Sequence, residues 1–179
     1  HHLKDCIRKY IELWTPDFGE KAQAFSEWFE KYNYVCATLV DRIVPGFPRK
    51  DIVDIQNKIG YKDNLVVQAE IFHLWVIERP ENMTCEELRK EFPADQAGLH
   101  VLIAESEAPY HERKVTLLNG PHTVLSPVAY LSGINIVRDA LHDSVVGPYI
   151  KKVQYDELMQ TLNLPMEELQ QFAADVLER

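Results

Sequence analysis

The chain has 179 residues, of which 46% are hydrophobic, enough for one domain or for parts of two. Its 28 acidic side chains outnumber the 19 basic ones, giving a formal net charge of −9. This balance argues against a nucleic-acid-binding protein, which needs a clustered basic face, but it allows a small anionic substrate bound by a local Arg or Lys. No apolar run approaches the length of a membrane span, so we expect no membrane partner either.

The first half of the chain mixes helical and strand-like segments. Apolar spacing predicts helices over 3–14, 18–31, 50–59 and 84–91, and strands over 34–40, 65–77 and 99–104. Thr15-Pro16-Asp17 is predicted to break the first helix.

From residue 108 onward the pattern is helical. Helices are predicted over 108–119, 122–131, 134–142, 145–162 and 165–178. We therefore expect a fold that is mainly α with a few short strands. His1-His2 is either native or the remnant of a purification tag. Because the chain starts and stops inside helical patterns, we also expect a fragment of a larger protein.

Several common motifs are missing from the sequence. The seven glycines form no G-x-G-x-x-G, and the seven histidines form no H-x-x-x-H, so we predict no phosphate-binding loop and no metal site within this chain. The sequence also lacks the G-x-S-x-G elbow that is typical of a serine hydrolase. Cys6, Cys36 and Cys85 are widely spaced, so they indicate neither a zinc knuckle nor a disulfide framework, and we expect a reducing, cytoplasmic protein.

The segment Lys114-Val-Thr-Leu-Leu-Asn119-Gly-Pro-His122 holds the side chains best suited to catalysis. At about 100° per residue, Lys114 and His122 lie on one helix face, and Asn119 lies about 140° round from Lys114. A Lys whose pKa is lowered by burial or by a cationic neighbour acts as a general acid or base on an alcohol or carbonyl. An amide and an imidazole hold the reacting oxygen, and a bend at Gly120-Pro121 would aim them into a cleft. The same residues also suit an ordinary solvated face with a helix terminus at Asn119-Gly120, so their spacing leaves both interpretations open.

Three further residues are candidates for substrate binding. Asp41 and Arg42 directly follow the predicted strand 34–40, and ligands of α/β sheets bind at strand ends. A structural ion pair at the following turn is the alternative. Glu70 is predicted on the apolar face of strand 65–77, where it either holds substrate hydroxyls or is a partnered structural carboxylate.

The Lys114-x4-Asn119-x2-His122 pattern resembles the catalytic motif of the polyol-specific long-chain dehydrogenases, the family that includes mannitol dehydrogenase. Thr38-Leu-Val-Asp-Arg-Ile-Val-Pro45 resembles that family's second signature. The two motifs occur in the family's order and at about its distance, and segment 70–78 is also similar, so the resemblance covers essentially the whole chain. Pro121 is a departure, since the residue before this histidine is often small in relatives.

The resemblance implies a metal-independent hydride transfer that uses NAD. Lys114 would be the acid/base, and Asn119 and His122 would polarise and position the carbonyl. It implies the tail of an α/β dinucleotide-binding domain over 1–60, followed by part of a helical catalytic domain over 61–179. NAD would be bound mainly by an N-terminal part that this chain lacks, so we expect the chain alone to be inactive.

Details in 44–48 and 121–133 resemble the branch of the family that acts on uronates. The implied substrate is a small sugar acid, with tagaturonate reduced to altronate, while mannitol or fructuronate chemistry stays open. A non-catalytic helical interaction domain, with acidic helix 165–178 as its surface, is the alternative from another class. The cation for a substrate carboxylate is open among Arg42, Arg113, Arg138, Lys151 and Lys152, and no oligomeric state is predicted.

Overall fold

A computed structural model describes residues 2–178, so the predictions about His1 and about the chain end at Arg179 lie outside the described residues. The helices are α1 (His2–Phe18), α2 (Glu20–Tyr32), α3 (Ile52–Ile59), α4 (Cys85–Glu91), α5 (Ala108–Lys114), α6 (Gly120–Leu131), α7 (Val137–His142), α8 (Val146–Lys152) and α9 (Met166–Glu178). The strands are β1 (Thr38–Asp41), β2 (Leu74–Glu78) and β3 (Val101–Ala104). The predicted fold, mainly α with a few short strands, is confirmed.

Two stretches of π-helix interrupt the α-helical half. They are Val115–Asn119, called here the first π segment, and Val153–Leu158, the second π segment. Short 3₁₀ turns occur at Ala94–Ala97 and Met159–Thr161. π-Helical turns are rare and are frequently found at functional sites, so their position in this half directs attention there.

The chain divides into two compact units. The first unit comprises the residues up to Leu39 together with Trp75–Glu107. The second unit comprises Val40–Leu74 and the residues from Ala108 onward. All six candidate site residues belong to the second unit.

The first unit carries most of a three-stranded sheet of order β1-β2-β3. Strands β2 and β3 are parallel, with Trp75 opposite Val101. The neighbouring residues Val76 and Ile77 point to opposite faces of β2 and are both buried, so this strand is covered on both faces. Its sequence is accordingly a continuous apolar run and not an alternating one. Ile77 and Val101 pack with Leu88 of α4 in the core of this unit.

Two clusters of buried side chains form the core of the second unit. One gathers Leu117, Met159, Leu169, Phe172 and Ala173. The other gathers Leu125, Ala129, Ala140, Val146 and Ile150. The first cluster joins the first π segment to α9, and the second joins α6 to α7 and α8. The continuous helical stretch from Ala108 to Leu131, which carries the candidate catalytic residues, therefore contributes side chains to both clusters.

The predicted break at Thr15-Pro16-Asp17 is wrong, because α1 continues to Phe18 with Pro16 inside it. A proline so close to the end of a helix removes one backbone hydrogen bond but leaves the earlier turns intact. The Thr15 hydroxyl donates to the Ile11 carbonyl, and the Gly19 N–H donates to the Thr15 carbonyl. The chain turns at Gly19 instead, where φ is +49°, a value that suits glycine.

The predicted strand over 65–77 is mostly wrong, because only Leu74–Glu78 forms a strand. Leu65 and Ile71 are 87% and 94% exposed, so the apolar residues before β2 do not line a buried face. Strands predicted over 34–40 and 99–104 are found at Thr38–Asp41 and Val101–Ala104. The predicted helix over 50–59 ends at Gly60, whose left-handed φ of 81° caps it as expected.

Candidate active site

The segment from Ala108 to Leu131 is one continuous helical rod, made of α5, the first π segment and α6. Asn119 and Gly120 both have right-handed helical backbone angles, so the alternative that they form a helix terminus is wrong. The Gly120 N–H donates to the carbonyl of Val115, five residues back. Pro121, which has no N–H to donate, follows directly after this π turn. The predicted disturbance of the helix therefore takes the form of a π turn.

The π turn changes how the candidate catalytic residues are aligned. In a regular α-helix, Asn119 would lie about 140° round from Lys114. A helix with i→i+5 hydrogen bonds has more residues per turn than an α-helix, so Asn119 is rotated by less than this angle from Lys114. His122 follows three residues later in α6 and is a neighbour of Asn119 on the helix surface. The three side chains thus follow one another along one side of the rod.

Lys114 is held by a contact with the other sequence motif. It is half buried, and its Nζ donates a hydrogen bond to the backbone carbonyl of Val40, 2.9 Å away. Val40 precedes Asp41, so the end of β1 and the end of α5 meet within the second unit. The interaction-domain alternative predicts Lys114 and His122 in solvent at separate places; His122 is exposed, whereas Lys114 is half buried and hydrogen-bonded to Val40.

Asp41, Arg42 and Glu70 are grouped by contacts around the end of β1. Asp41 is 1% exposed, whereas Arg42 is exposed and donates from Nε to the Glu70 carbonyl at 3.0 Å. The Glu70 carboxylate accepts from the backbone N–H of Ile43 at 2.5 Å. Glu70 is thus a partnered carboxylate in an irregular segment and not a strand residue, which corrects its predicted placement. Its contact with substrate hydroxyls stays a prediction.

Asn119 and His122 are exposed. Their backbone carbonyls accept hydrogen bonds from the hydroxyls of Thr123 and Ser126, at 3.1 and 2.7 Å. These bonds are local to the rod and leave the amide and the imidazole turned toward solvent. A small ligand on this side of the rod can therefore reach both side chains.

Arg113 has a structural position that the sequence did not reveal. It is 7% exposed and forms an ion pair with Glu168 of α9. Its guanidinium lies 5.4 Å from the centre of the Tyr110 ring and 4.5 Å from that of Phe172. A guanidinium enclosed in this way is a poor candidate for binding a substrate carboxylate. Glu168 lies in the first turn of α9, where its negative charge also interacts favourably with the helix dipole.

Gln154 is a second polar residue that sequence reasoning missed. It is fully buried, and its amide Nε2 donates to the carbonyl of Leu117 in the first π segment at 3.0 Å. Its spacing could have predicted its burial, because Gln154 lies four residues after Ile150 and four before Leu158 on an otherwise apolar helix face. A polar residue at such a position usually serves a buried hydrogen bond.

Among residues 2–178, no group of three or more His, Cys, Asp or Glu side chains is arranged to hold a metal ion. Within the same residues, no helix combines the length and apolar character needed to cross a membrane.

Comparison with known families decides where the chain belongs. The mannitol dehydrogenase Rossmann domain matches residues 1–90, half of the chain, and the mannitol dehydrogenase C-terminal domain matches residues 107–179. The chain belongs to the mannitol dehydrogenase family. This confirms the family that the two sequence motifs indicated. The predicted domain boundary between residues 60 and 61 stays a prediction.

Curated relatives of this family member carry a more specific name. Altronate oxidoreductases of Phocaeicola vulgatus and Bacteroides thetaiotaomicron are 69% and 68% identical to it over 179 residues. The alignment covers 100% of this chain and 35% of each relative, so the chain spans about a third of their length.

Solved structures of family members share the fold. D-sorbitol dehydrogenase in substrate-free form matches with a TM-score of 0.68 and 25% identity, over 87% of this chain and 31% of that one. Pseudomonas fluorescens mannitol 2-dehydrogenase, in a ternary complex with NAD and D-mannitol, matches with a TM-score of 0.63 and 22% identity, over 88% and 30% of the two chains.

Proposed function

We propose that the whole protein is an NAD-dependent oxidoreductase that interconverts tagaturonate and altronate. The name of the relatives at 69% and 68% identity supports the sugar acid, and the mannitol 2-dehydrogenase complex supports NAD. Mannitol and fructuronate are the competing substrates within the family.

The observation that carries this proposal is the hydrogen bond from Lys114 Nζ to the Val40 carbonyl. It holds a primary amine at the end of β1, beside buried Asp41 and exposed Arg42. An amine in a fixed position is suited to general acid–base catalysis on a carbonyl or alcohol, because proton transfer requires the donor within hydrogen-bond reach of the oxygen.

The residues present do not fit the pyrophosphate of NAD. The chain has no G-x-G-x-x-G loop with which a helix N-terminus would hold phosphate groups. We therefore assign the phosphate site to the remaining two thirds of the protein's length, judged from its relatives. When bound, the cofactor would supply the hydride as NADH in the reducing direction and accept it as NAD⁺ in the oxidising direction.

The residues of this chain would handle the oxygen and its proton. In the reducing direction, the Lys114 ammonium gives a proton to the carbonyl oxygen and is left as a neutral amine, which regains a proton from solvent. Asn119 and His122 would donate hydrogen bonds to the same oxygen and favour its developing negative charge. Preorganised donors of this kind are among the largest contributions to carbonyl chemistry in enzymes.

We assign the substrate carboxylate to Arg42. Its hydrogen bond to the Glu70 carbonyl uses the Nε donor, and the terminal nitrogens of an exposed guanidinium form the fork that grips a carboxylate. Asp41 and Glu70 would shape the wall beside it, and Glu70 keeps the segment after β1 in place through the Ile43 N–H.

The test is steady-state NADH oxidation by the whole protein with tagaturonate, fructuronate and fructose, for wild type and Lys114→Ala. We expect selective turnover of tagaturonate, reduced about 10²–10⁴-fold in the variant. Turnover of one of the other two substrates would move the protein to a different branch. No turnover of any of the three would remove the proposal.

A further inference from the structure

The two π segments of the second unit are connected through one buried side chain. Gln154 lies in the second π segment, where its own backbone carbonyl accepts from the N–H of Met159, five residues on. Its side-chain amide crosses to the first π segment and donates to the Leu117 carbonyl at 3.0 Å. Gln154 and Leu117 are both fully buried, so water does not compete for this bond.

A second close approach occurs three residues further along the rod. A Cβ placed on Gly120 would lie 3.1 Å from Cδ1 of Leu158, at the end of the second π segment. Glycine at this position therefore lets the two segments approach each other closely. The first π segment is thus supported by the second one at Leu117 and again at Gly120.

The supported turn lies between two residues that the proposed function assigns to one oxygen. Lys114 comes immediately before the first π segment, and Asn119 is its last residue. Were this turn regular α-helix, Asn119 would be rotated by about 140° from Lys114. The π turn brings the pair onto the same side of the rod, where the ammonium and the amide can approach one atom.

We propose that Gln154 is a positioning residue for the reaction: its amide maintains the π turn that aligns Asn119 with Lys114. This inference rests on the proposed roles of Lys114 and Asn119. Gln154 is buried and acts through the backbone of Leu117, so it has no contact with substrate in this account.

A residue of this kind affects the rate more than the binding of substrate. Arg42 does not depend on the π turn, and Asn119 is assigned to the oxygen as negative charge develops on it, so the Michaelis constant should change little. Misplacing a catalytic group by about 1 Å can lower the rate about 10²-fold. A loss confined to kcat is therefore the expected signature, and a variant that is merely less stable would instead lose folded enzyme.

The experiment compares two substitutions with a matched control in the whole protein. Gln154→Met keeps the length and volume of the side chain without the donor, and Gln154→Leu removes the donor with a shorter, branched apolar side chain. Gln160→Leu is the control, because exposed Gln160 also donates its amide to a backbone carbonyl, that of Tyr155 at 3.1 Å. For each protein, kcat and KM with tagaturonate and NADH are corrected for the folded fraction measured by circular dichroism.

We expect kcat to fall about 10–100-fold in both Gln154 variants, with KM within about twofold of wild type and Gln160→Leu unchanged. Amide exchange at Gly120, whose N–H closes the π turn, should also accelerate in both variants. Wild-type kcat in both folded variants would overturn the inference, and so would failure of both to fold, since Gln154 would then be an ordinary core residue.

A Lys114→Ala protein measured in parallel separates the two proposals. If Lys114→Ala is impaired while both Gln154 variants match wild type, the inference about Gln154 fails and the proposed function stands. If wild type turns over none of the substrates, or Lys114→Ala is as fast as wild type, the proposed function fails and the inference that rests on it fails too.

Discussion

The ammonium of Lys114 and the backbone carbonyl of Val40 are hydrogen-bonded at 2.9 Å although 74 residues separate them in the chain. This contact joins the end of β1 to the end of α5, and with them the two motifs that mark the family. A backbone carbonyl as partner has a particular consequence. It orients the amine through a neutral acceptor and not through an ion pair.

Replacing Arg42 tests the proposed carboxylate site. Arg42→Met should lower kcat/KM for tagaturonate about 10–100-fold, because charge-assisted hydrogen bonds contribute about 1.5–3 kcal/mol. The kcat/KM for fructose should change by less than about threefold, because fructose has no carboxylate for Arg42 to bind. Steady-state kinetics with both substrates measures the difference.

The control for Arg42 is Arg138→Met, since the Arg138 side chain is 81% exposed and lies 3.9 Å from Asp139 on the same helix. It should leave both substrates unaffected. Equal losses with tagaturonate and fructose in Arg42→Met would contradict a role in binding the carboxylate and indicate a general distortion of the site.

The pair formed by Arg113 and Glu168 should contribute strongly to stability. Glu168→Leu leaves the enclosed guanidinium without its carboxylate, and breaking a buried pair from one side costs about 3–5 kcal/mol. Because the Glu168 side chain is 43% exposed, we expect a smaller loss of about 2–3 kcal/mol in the free energy of unfolding. Urea unfolding provides the measurement, with exposed Glu167→Leu as the control, expected within about 0.5 kcal/mol of wild type. Equal stability of the two variants would show that Arg113 needs no charged partner.

Gly147 is a position where any side chain should be destabilising. A Cβ there would lie 2.4 Å from the backbone carbonyl oxygen of Leu141, so α7 and α8 would have to separate. We expect Gly147→Ala to lose about 2–3 kcal/mol in the free energy of unfolding, as overpacked cores do. Gly120→Ala is the comparison, because its one tight contact would be the flexible end of Leu158 at 3.1 Å, with the Val115 carbonyl oxygen at an ordinary 3.6 Å, and alanine favours the helix. The account is wrong on this point if thermal denaturation ranks Gly147→Ala as the more stable of the two.

The carboxylate of Asp143 should make stability depend on pH. It accepts hydrogen bonds from the backbone N–H groups of Val146 and Val145, both at 2.9 Å, and these hold the pKa of Asp143 below its ordinary value. Its contribution to stability is therefore present above the ordinary pKa of an aspartate and is lost as the pH falls through the lowered pKa.

Asp143→Asn should accordingly be less stable than wild type at neutral pH, with a difference that shrinks on acidification. Melting temperatures at a series of pH values between about 7 and 3 measure this trend. Asp139→Asn is the control, because its carboxylate is exposed and faces the Arg138 side chain. A difference between wild type and Asp143→Asn that stays constant over the series would contradict the assignment.

The helical half of the fold could be predicted from the sequence because its signals are local. Apolar residues at helical spacing located α6 and α9, and Gly60 marked the end of α3. Two predictions failed where the pattern did not determine the outcome. Leu65, Val67 and Ile71 resembled part of a strand but are exposed, and Pro16 resembled a helix break but lies too close to the end of α1 to cause one.

The candidate site was only partly predictable for a physical reason. Lys114, Asn119 and His122 were identified by spacing and resemblance, yet a π turn and an α turn are built from the same kinds of residue. The turn over Val115–Asn119 depends on support from Gln154, 37 residues away from the Leu117 carbonyl that it contacts. No local pattern encodes such a partner, and the Lys114–Val40 contact is longer in range still.

The most direct test of the central claim is chemical rescue of Lys114→Ala by small primary amines in the whole protein. If Lys114 is the acid/base, kcat/KM for tagaturonate should fall about 10²–10⁴-fold in the variant, and methylamine or ethylamine should restore part of it in proportion to the alkylammonium ion present, which is the acid that reduction requires. Asn119→Ala should not respond to the same amines. A Lys114→Ala protein within tenfold of wild type, and indifferent to added amine, would contradict the account.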